Sequence, residues 1–209
     1  WVEFMVDEVK GRLAGGPYED AEIVPVSSRT GEGLDDLKAA LSRAAKVTKR
    51  QKASDTARLP IDRVFTIKGA GTVITGTLWS GAVSTGDELE VLPSGRISRV
   101  RSIQIHGESV ERAEAGHRVA LNLNALSTDE VRPGDFLAAP HTVTATDRFD
   151  ADFTFLGLPS SDKPLESGAR VHVSHGTREV IGRILRIGGG QPIERGERVY
   201  AQIRLDEEL

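Results

Sequence analysis

The chain contains no cysteine. Disulfides and thiolate zinc sites are therefore excluded, and a reducing cytoplasm is compatible. It also lacks any apolar run of the roughly 18–20 residues needed to span a membrane as a helix. The first residues carry Glu3, Asp7 and Glu8 rather than a basic region followed by a hydrophobic one. No signal peptide is expected, and the expected location is cytoplasmic, away from membranes. There is no excess of positive charge either. The net charge of −4 argues against a protein that coats nucleic acid non-specifically. No Ser/His/Asp order and no paired carboxylates stand out, so nothing here can carry out chemistry alone.

The 209 residues suffice for one large domain or two small ones, and their charge is uneven. Residues 1–45 hold five basic and nine acidic groups, a net of −4. From 46 to 58, Lys46, Lys49, Arg50, Lys52 and Arg58 face Asp55 alone, a net of +4. That stretch reads as a solvated polar linker, or as a linker that also touches a phosphate backbone.

Before the linker the periodicity is helical. Val2, Met5, Val9 and Leu13, with Val6 beside them, recur at three-to-four spacing, and Gly15-Gly16-Pro17 ends the pattern. Ile23–Val26 reads as a short buried strand, and Ser27–Gly33 as a loop. Leu34, Leu37, Leu41 and Ala45 predict a second helix, with Asp35 and Asp36 complementing its dipole. Residues 1–46 thus resemble the tail of an α/β unit. After the linker, 47–58, the period changes to two. Strands are expected at 61–68, 72–79, 87–92, 97–105, 117–123 and 135–139, separated by turn residues such as Ser80-Gly81 and Pro133-Gly134. Closely spaced strands with no helix between them predict a closed barrel or sandwich over 59–140. A second β block, 141–209, offers only about four strands, near 149–155, 169–175, 179–187 and 198–205, too few to close a barrel. The fold class expected is mainly β, one barrel and one partial barrel, preceded by a helix–strand–helix remnant.

The barrel opens on Arg58–Leu78, which reads as two strands joined by a glycine turn. Lys68–Gly76 superficially suggests nucleotide binding. Gly71 and Gly76 have phosphate-loop spacing, but Thr77 stands where lysine is required, and Ile74 occupies the third glycine of the dinucleotide pattern. A hairpin is the better reading. His172 and His175 would point to opposite faces of a strand with no further ligand near, so no metal is expected. Val26–Leu34 places a small-residue loop between a strand end and a helix start. That topology suits ligand recognition by backbone N–H groups, or is an ordinary connection. Arg99 and Arg101 should share a strand face, and Arg178, Arg183 and Arg186 lie on or beside another strand. They are either solvated or aimed at phosphates.

The loop Val26-Ser-Ser-Arg-Thr-Gly-Glu-Gly-Leu34 resembles the guanine-recognition motif of translational GTPases that usually reads Ser-Ala-Lys, here Ser27, Ser28 and Arg29. Two further stretches, Ile61–Thr77 and Gly116–Asn122, resemble domain two of selenocysteine-specific elongation factors (SelB). The resemblance covers nearly the whole chain: the end of a GTPase domain, an elongation-factor-Tu-like β-barrel domain II and part of domain III. It implies a longer factor that binds GTP or GDP with Mg2+ and delivers selenocysteinyl-tRNA to the ribosome. Contact with an mRNA hairpin would come through regions outside these residues. It further implies an aminoacyl pocket formed by Asp62, Arg63 and Arg118. If Arg99, Arg101, Arg178 and Arg183 are aimed at phosphates rather than solvated, those phosphates would be the tRNA backbone's. The phosphate-binding loop, switch regions and Asn-Lys-x-Asp motif are not among these residues. The chain alone is thus expected to bind no nucleotide and hydrolyse no GTP. Two other readings stay open: a general aminoacyl- or initiator-tRNA carrier of the elongation-factor-Tu superfamily, and a β-barrel interaction module with no tRNA role.

Overall fold

The structure, a computed structural model, describes residues 1–47, 55–69, 71–157, 163–186 and 191–209. Most of the expected linker, including Lys49, Arg50 and Lys52, lies outside the described residues, as does the side chain of Arg186. The chain divides into two compact units, Trp1–Gln51 and Lys52–Leu209.

In the first unit, α1 (Val2–Leu13) and α2 (Leu34–Val47) form where the 3.6-residue pattern placed them. Glu3 sits in the first turn of α1 and Lys10 and Arg12 in its last, each sign suited to the helix dipole. Neither helix buries a residue, and Val2, Phe4, Met5 and Val9 remain exposed. The strand expected at Ile23–Val26 does not form. The segment has no ladder partner among the described residues, and a lone apolar run cannot satisfy strand hydrogen bonds. No described helix is long and apolar enough to cross a membrane.

The second unit is all β. Its strands are β1 (Arg58–Ile67), β2 (Gly71–Thr77), β3 (Ala82–Ser84), β4 (Glu88–Leu92), β5 (Arg96–Ile105), β6 (Glu108–Val110), β7 (Arg112–Glu114), β8 (Arg118–Leu123), β9 (Phe136–Ala138), β10 (Arg148–Thr154), β11 (Arg170–His175), β12 (Arg178–Arg186) and β13 (Arg198–Leu205). The six long-range strands expected before residue 140 all form. The three-residue strands β3, β6 and β7 went unread because so short a run carries no period. In the first sheet the order β4-β9-β1-β2-β8-β5 closes through a β4–β5 pairing, so the six strands form a barrel and leave β6 at its rim. Ile61, Ile74, Val91, Val100, Ile103, Val119, Leu121 and Leu137 fill it. The glycine turn between β1 and β2 is confirmed as backbone geometry, since Gly69 and Gly71 both have positive φ, 84° and 95°.

Strands β10-β13-β12-β11 form an open four-stranded sheet. One face packs Val180, Ile184, Ala201, Ile203 and Leu205 with the half-buried Phe149, Ala151 and Phe153. The turn between β11 and β12 presses this sheet against the barrel. The His175 ring lies 5.6 Å from Trp79 and 5.4 Å from Phe136, and a cavity of about 120 Å³ opens beside them. Gly176 makes the approach possible, because a Cβ there would stand 2.7 Å from the Pro60 Cβ.

Candidate functional site

On one outer face of the barrel a break in register gathers charged side chains. Ile61 pairs with Gly76, but Arg63 pairs with Thr75, so Asp62 is an extra residue, a β-bulge. Before it, Leu59 and Ile61 point inward; after it, Val64 does, leaving Asp62 and Arg63 together on the outside. On a regular strand these neighbours would face opposite ways. Gly76, opposite the bulge, supplies the room: a Cβ there would sit 2.2 Å from the Pro60 carbonyl oxygen.

The outward row continues from Arg63 through Thr75 to Ala120, with Arg118 one pair further along, opposite Thr77. Arg118 donates from Nη1 to Asp62 Oδ2 at 2.6 Å and from Nη2 to Asp62 Oδ1 at 3.2 Å. Thr75 Oγ1 donates to Asp62 Oδ1 at 2.5 Å and accepts from Arg118 Nη2 at 3.4 Å. The Asp62 side chain is 22% exposed and that of Arg118 50%. This forked ion pair fixes the guanidinium plane. Of the five N–H donors of Arg118, three are engaged in these contacts. Arg63 is exposed and has no ion-pair or hydrogen-bond partner among the described residues. The arrangement offers one oriented guanidinium, one free guanidinium and one carboxylate already neutralised. It suits a small anionic group that also carries a hydrogen-bond acceptor. Thr75 was not singled out from the sequence; its position opposite Arg63 follows only from the bulge.

The other expected site residues are scattered. In the first unit, the Ser27 Oγ accepts from the Thr30 N–H and the Ser27 carbonyl from the Gly31 N–H. The backbone N–H groups of Ser28 and Arg29, at the loop's exposed tip, have no partner among the described residues. Arg99 pairs with Glu88 at 3.0 Å. Arg101 is exposed at a second bulge, where β5 shifts against β8 between Val100 and Ser102. Arg178 is committed internally. Its side chain is 10% exposed, 2.6 Å from Glu207 and 3.8 Å from the buried Asp135. Arg183 is exposed on the open sheet. His172 bonds Glu179 at 2.7 Å while His175 stacks against the barrel, and no metal-binding cluster exists among the described residues.

A family model described as elongation factor Tu domain 2 matches residues 71–138, most of the barrel. The chain is 42% identical, over all 209 residues, to the selenocysteine-specific elongation factor of Desulfomicrobium baculatum. The chain belongs to the selenocysteine-specific elongation factor family. The Escherichia coli member is 31% identical over 188 residues. The chain spans about a third of the length of these relatives, 32% and 29%. Among solved structures, the SelB elongation factor of Methanococcus maripaludis in its apo form superposes with a TM-score of 0.83 at 28% identity, covering all of this chain and 47% of that one. A bacterial selenocysteine-specific elongation factor gives 0.79 at 29% identity, covering all of this chain and 33% of that one. Family membership makes the barrel an elongation-factor-Tu-like second domain, and the open sheet a partial barrel of the same architecture.

Proposed function

We propose that the chain is the aminoacyl-recognising part of a longer translation factor that binds GTP or GDP with Mg2+ and delivers selenocysteinyl-tRNA to the ribosome in the cytoplasm. In this reading, residues 1–46 end the GTPase domain, 47–58 link it to the barrel of 59–140, and 141–209 begin a third domain. Any contact with an mRNA hairpin would lie outside these residues. The observation that carries the reading is the bulge that sets Asp62, Arg63, Thr75 and Arg118 on one face.

A selenol is more acidic than a hydroxyl or thiol, so selenocysteine is largely anionic at neutral pH. Two permanently charged guanidiniums favour it over neutral serine through charge-assisted bonds. Asp62 offsets one of those charges, which keeps the site from attracting every anion, and it holds Arg118 in a single orientation. Arg63 supplies the uncompensated charge. The free N–H groups of Ser28 and Arg29 suit the carbonyl of a guanine base, and the exposed Arg99, Arg101 and Arg183 suit the tRNA backbone.

The deciding experiment replaces Arg118 with alanine in the full-length factor. Affinity for selenocysteinyl-tRNA should fall far more than affinity for uncharged tRNA. Equal losses would remove the pocket assignment. A general aminoacyl-tRNA carrier would show no preference for the selenol at the outset.

A further inference from the structure

Three aromatic rings meet where the open sheet rests on the barrel. Trp79 stands just after β2, Phe136 opens β9 and His175 closes β11. Their centroids lie 5.4–5.7 Å apart, with the Trp79 ring steeply inclined to both of the others. The rings line the cavity of about 120 Å³ together with Arg58 and Arg178. A space of about 150 Å³ between apolar side chains holds benzene, so this one is of a size for a single ring.

One charge at this cavity is uncompensated. The Arg58 main chain bonds to Trp79 and Ser80, but its guanidinium has no partner among the described residues. Arg58 is exposed and yet lines the cavity, which places it at the rim. Arg178, by contrast, already has Glu207 at 2.6 Å and Asp135 at 3.8 Å. No acidic residue is among those that line the cavity, and the rest, Leu92 and Val143 among them, are uncharged. The aromatic groups also keep unused capacity. Trp79 is 46% exposed, and neither its indole N–H nor the His175 imidazole has a hydrogen-bond partner among the described residues.

We propose that this cavity binds a small aromatic carboxylate, a single ring with a short acid arm. The ring enters beside Trp79, Phe136 and His175, where edge and face contacts are favourable. The carboxylate stays at the rim and accepts two parallel N–H bonds from Arg58. Clustered rings can also hold a cation against their faces, but here a guanidinium opposes it and no lining carboxylate offsets that charge. Mostly apolar pockets with a few placed polar groups favour junctions between packed units, as this one does. None of its residues belongs to the proposed aminoacyl pocket, so the two assignments stand or fall separately.

The test uses the 209-residue chain carrying Trp1→Phe, which leaves Trp79 as its one tryptophan. Phenylacetate is titrated beside benzyl alcohol and benzyltrimethylammonium, which share its ring and differ in charge. Phenylacetate should change the Trp79 fluorescence saturably, with a dissociation constant of about 1 mM or lower, reasonable for about ten non-hydrogen atoms. The other two should bind at least about 10-fold more weakly, having no charge-assisted bond to Arg58. Arg58→Gln should bring phenylacetate down to the level of benzyl alcohol and leave benzyl alcohol unchanged. Because the walls come from both sheets, phenylacetate should also raise the melting temperature as its concentration rises. The His175 imidazole resonances should shift on binding, while those of His106, between β5 and β6, stay in place. If Arg58→Gln fails to fold, the comparison of the three probes decides alone. No saturation well above the expected constant, equal affinity for the three probes, tighter binding of the cation, a stationary His175 signal, or a folded Arg58→Gln variant that keeps the preference would each overturn the proposal.

Discussion

Thr177 Oγ1 donates to the Ile61 carbonyl at 2.6 Å, tying the open sheet to the residue that precedes the bulge. The same carbonyl accepts from the Gly134 N–H at 2.9 Å, and the Ile61 N–H donates to the Asp135 carbonyl at 2.9 Å. A bulge interrupts the ladder on its own strand, so backbone groups beside it need partners from elsewhere. Here a loop of the barrel and a turn of the second sheet supply them. Thr177→Val keeps the shape and removes one part-buried bond. Urea unfolding should show a loss of about 1 kcal/mol. An unmoved midpoint would mean that the Ile61 carbonyl is satisfied without it.

Gly76 faces the same bulge from β2. An alanine Cβ would stand 2.2 Å from the Pro60 oxygen and 2.6 Å from Leu59 Cδ2, and neither backbone nor core can yield that much without repacking. Gly76→Ala should cost about 1–3 kcal/mol by denaturant titration. It should also weaken aminoacyl-tRNA binding by the full-length factor, because Asp62 can no longer stand out from the strand. Wild-type stability in this variant would show that the bulge does not depend on the missing Cβ.

The barrel was legible in the sequence because alternation and turn chemistry agree over nearly every strand. Val119, Leu121 and Leu123 alternate as inward residues, and the structure buries all three. Asp62, Arg63 and Arg118, proposed as the aminoacyl pocket, were singled out only through family resemblance. Their meeting depends on a one-residue register shift, and periodicity averages over such a shift. Thr75 was hidden for the same reason. The inward placement of Arg178 was not legible, because the turn beside it meets the barrel only in three dimensions. Ile23–Val26 misled because apolar, β-branched residues express a preference that a strand realises only beside another strand.

GTP turnover offers a simple negative control. The glycines of Lys68–Gly76 form a hairpin turn rather than a phosphate cradle, and no phosphate-binding loop occurs elsewhere in the 209 residues. A malachite-green assay of the purified chain should detect no phosphate release above buffer. Turnover that co-purifies with the chain at constant specific activity would overturn this.

Asp152 and Arg198 provide a pH-dependent element on the open sheet. Arg198 donates from Nε to Asp152 Oδ1 at 2.9 Å and from Nη2 to Oδ2 at 2.5 Å. Hydrogen bonds from Arg198 hold the Asp152 carboxyl below its ordinary value of 3.8. A carboxyl whose folded-state value is depressed contributes stability above its unfolded-state value, and that contribution disappears as pH falls through the folded-state value. Arg198→Gln should therefore lower the urea midpoint at neutral pH, with the difference from wild type shrinking below about pH 4. A difference that persists undiminished in acid would assign the effect to packing of the Arg198 stem rather than to the ion pair.

The two arginines of the proposed pocket should answer differently to lysine. Arg118 is held by a forked pair with Asp62 and by Thr75, and a point-charge ammonium cannot keep both bonds in that plane. Arg63 has no partner to lose among the described residues, so its task requires charge and reach rather than a fork. In the full-length factor, Arg118→Lys should weaken selenocysteinyl-tRNA binding about 10- to 100-fold, the value of one or two charge-assisted bonds. Arg63→Lys should stay within a few-fold of wild type, and Arg63→Gln should fall well below it. Thr75→Val, which removes the hydroxyl shared by Asp62 and Arg118, should lie between the two lysine variants. Affinity for uncharged tRNA should change little in all four. If Arg63→Lys and Arg118→Lys lose affinity equally, both arginines grip the ligand through forks, and the division of labour drawn from the Asp62 pairing is wrong.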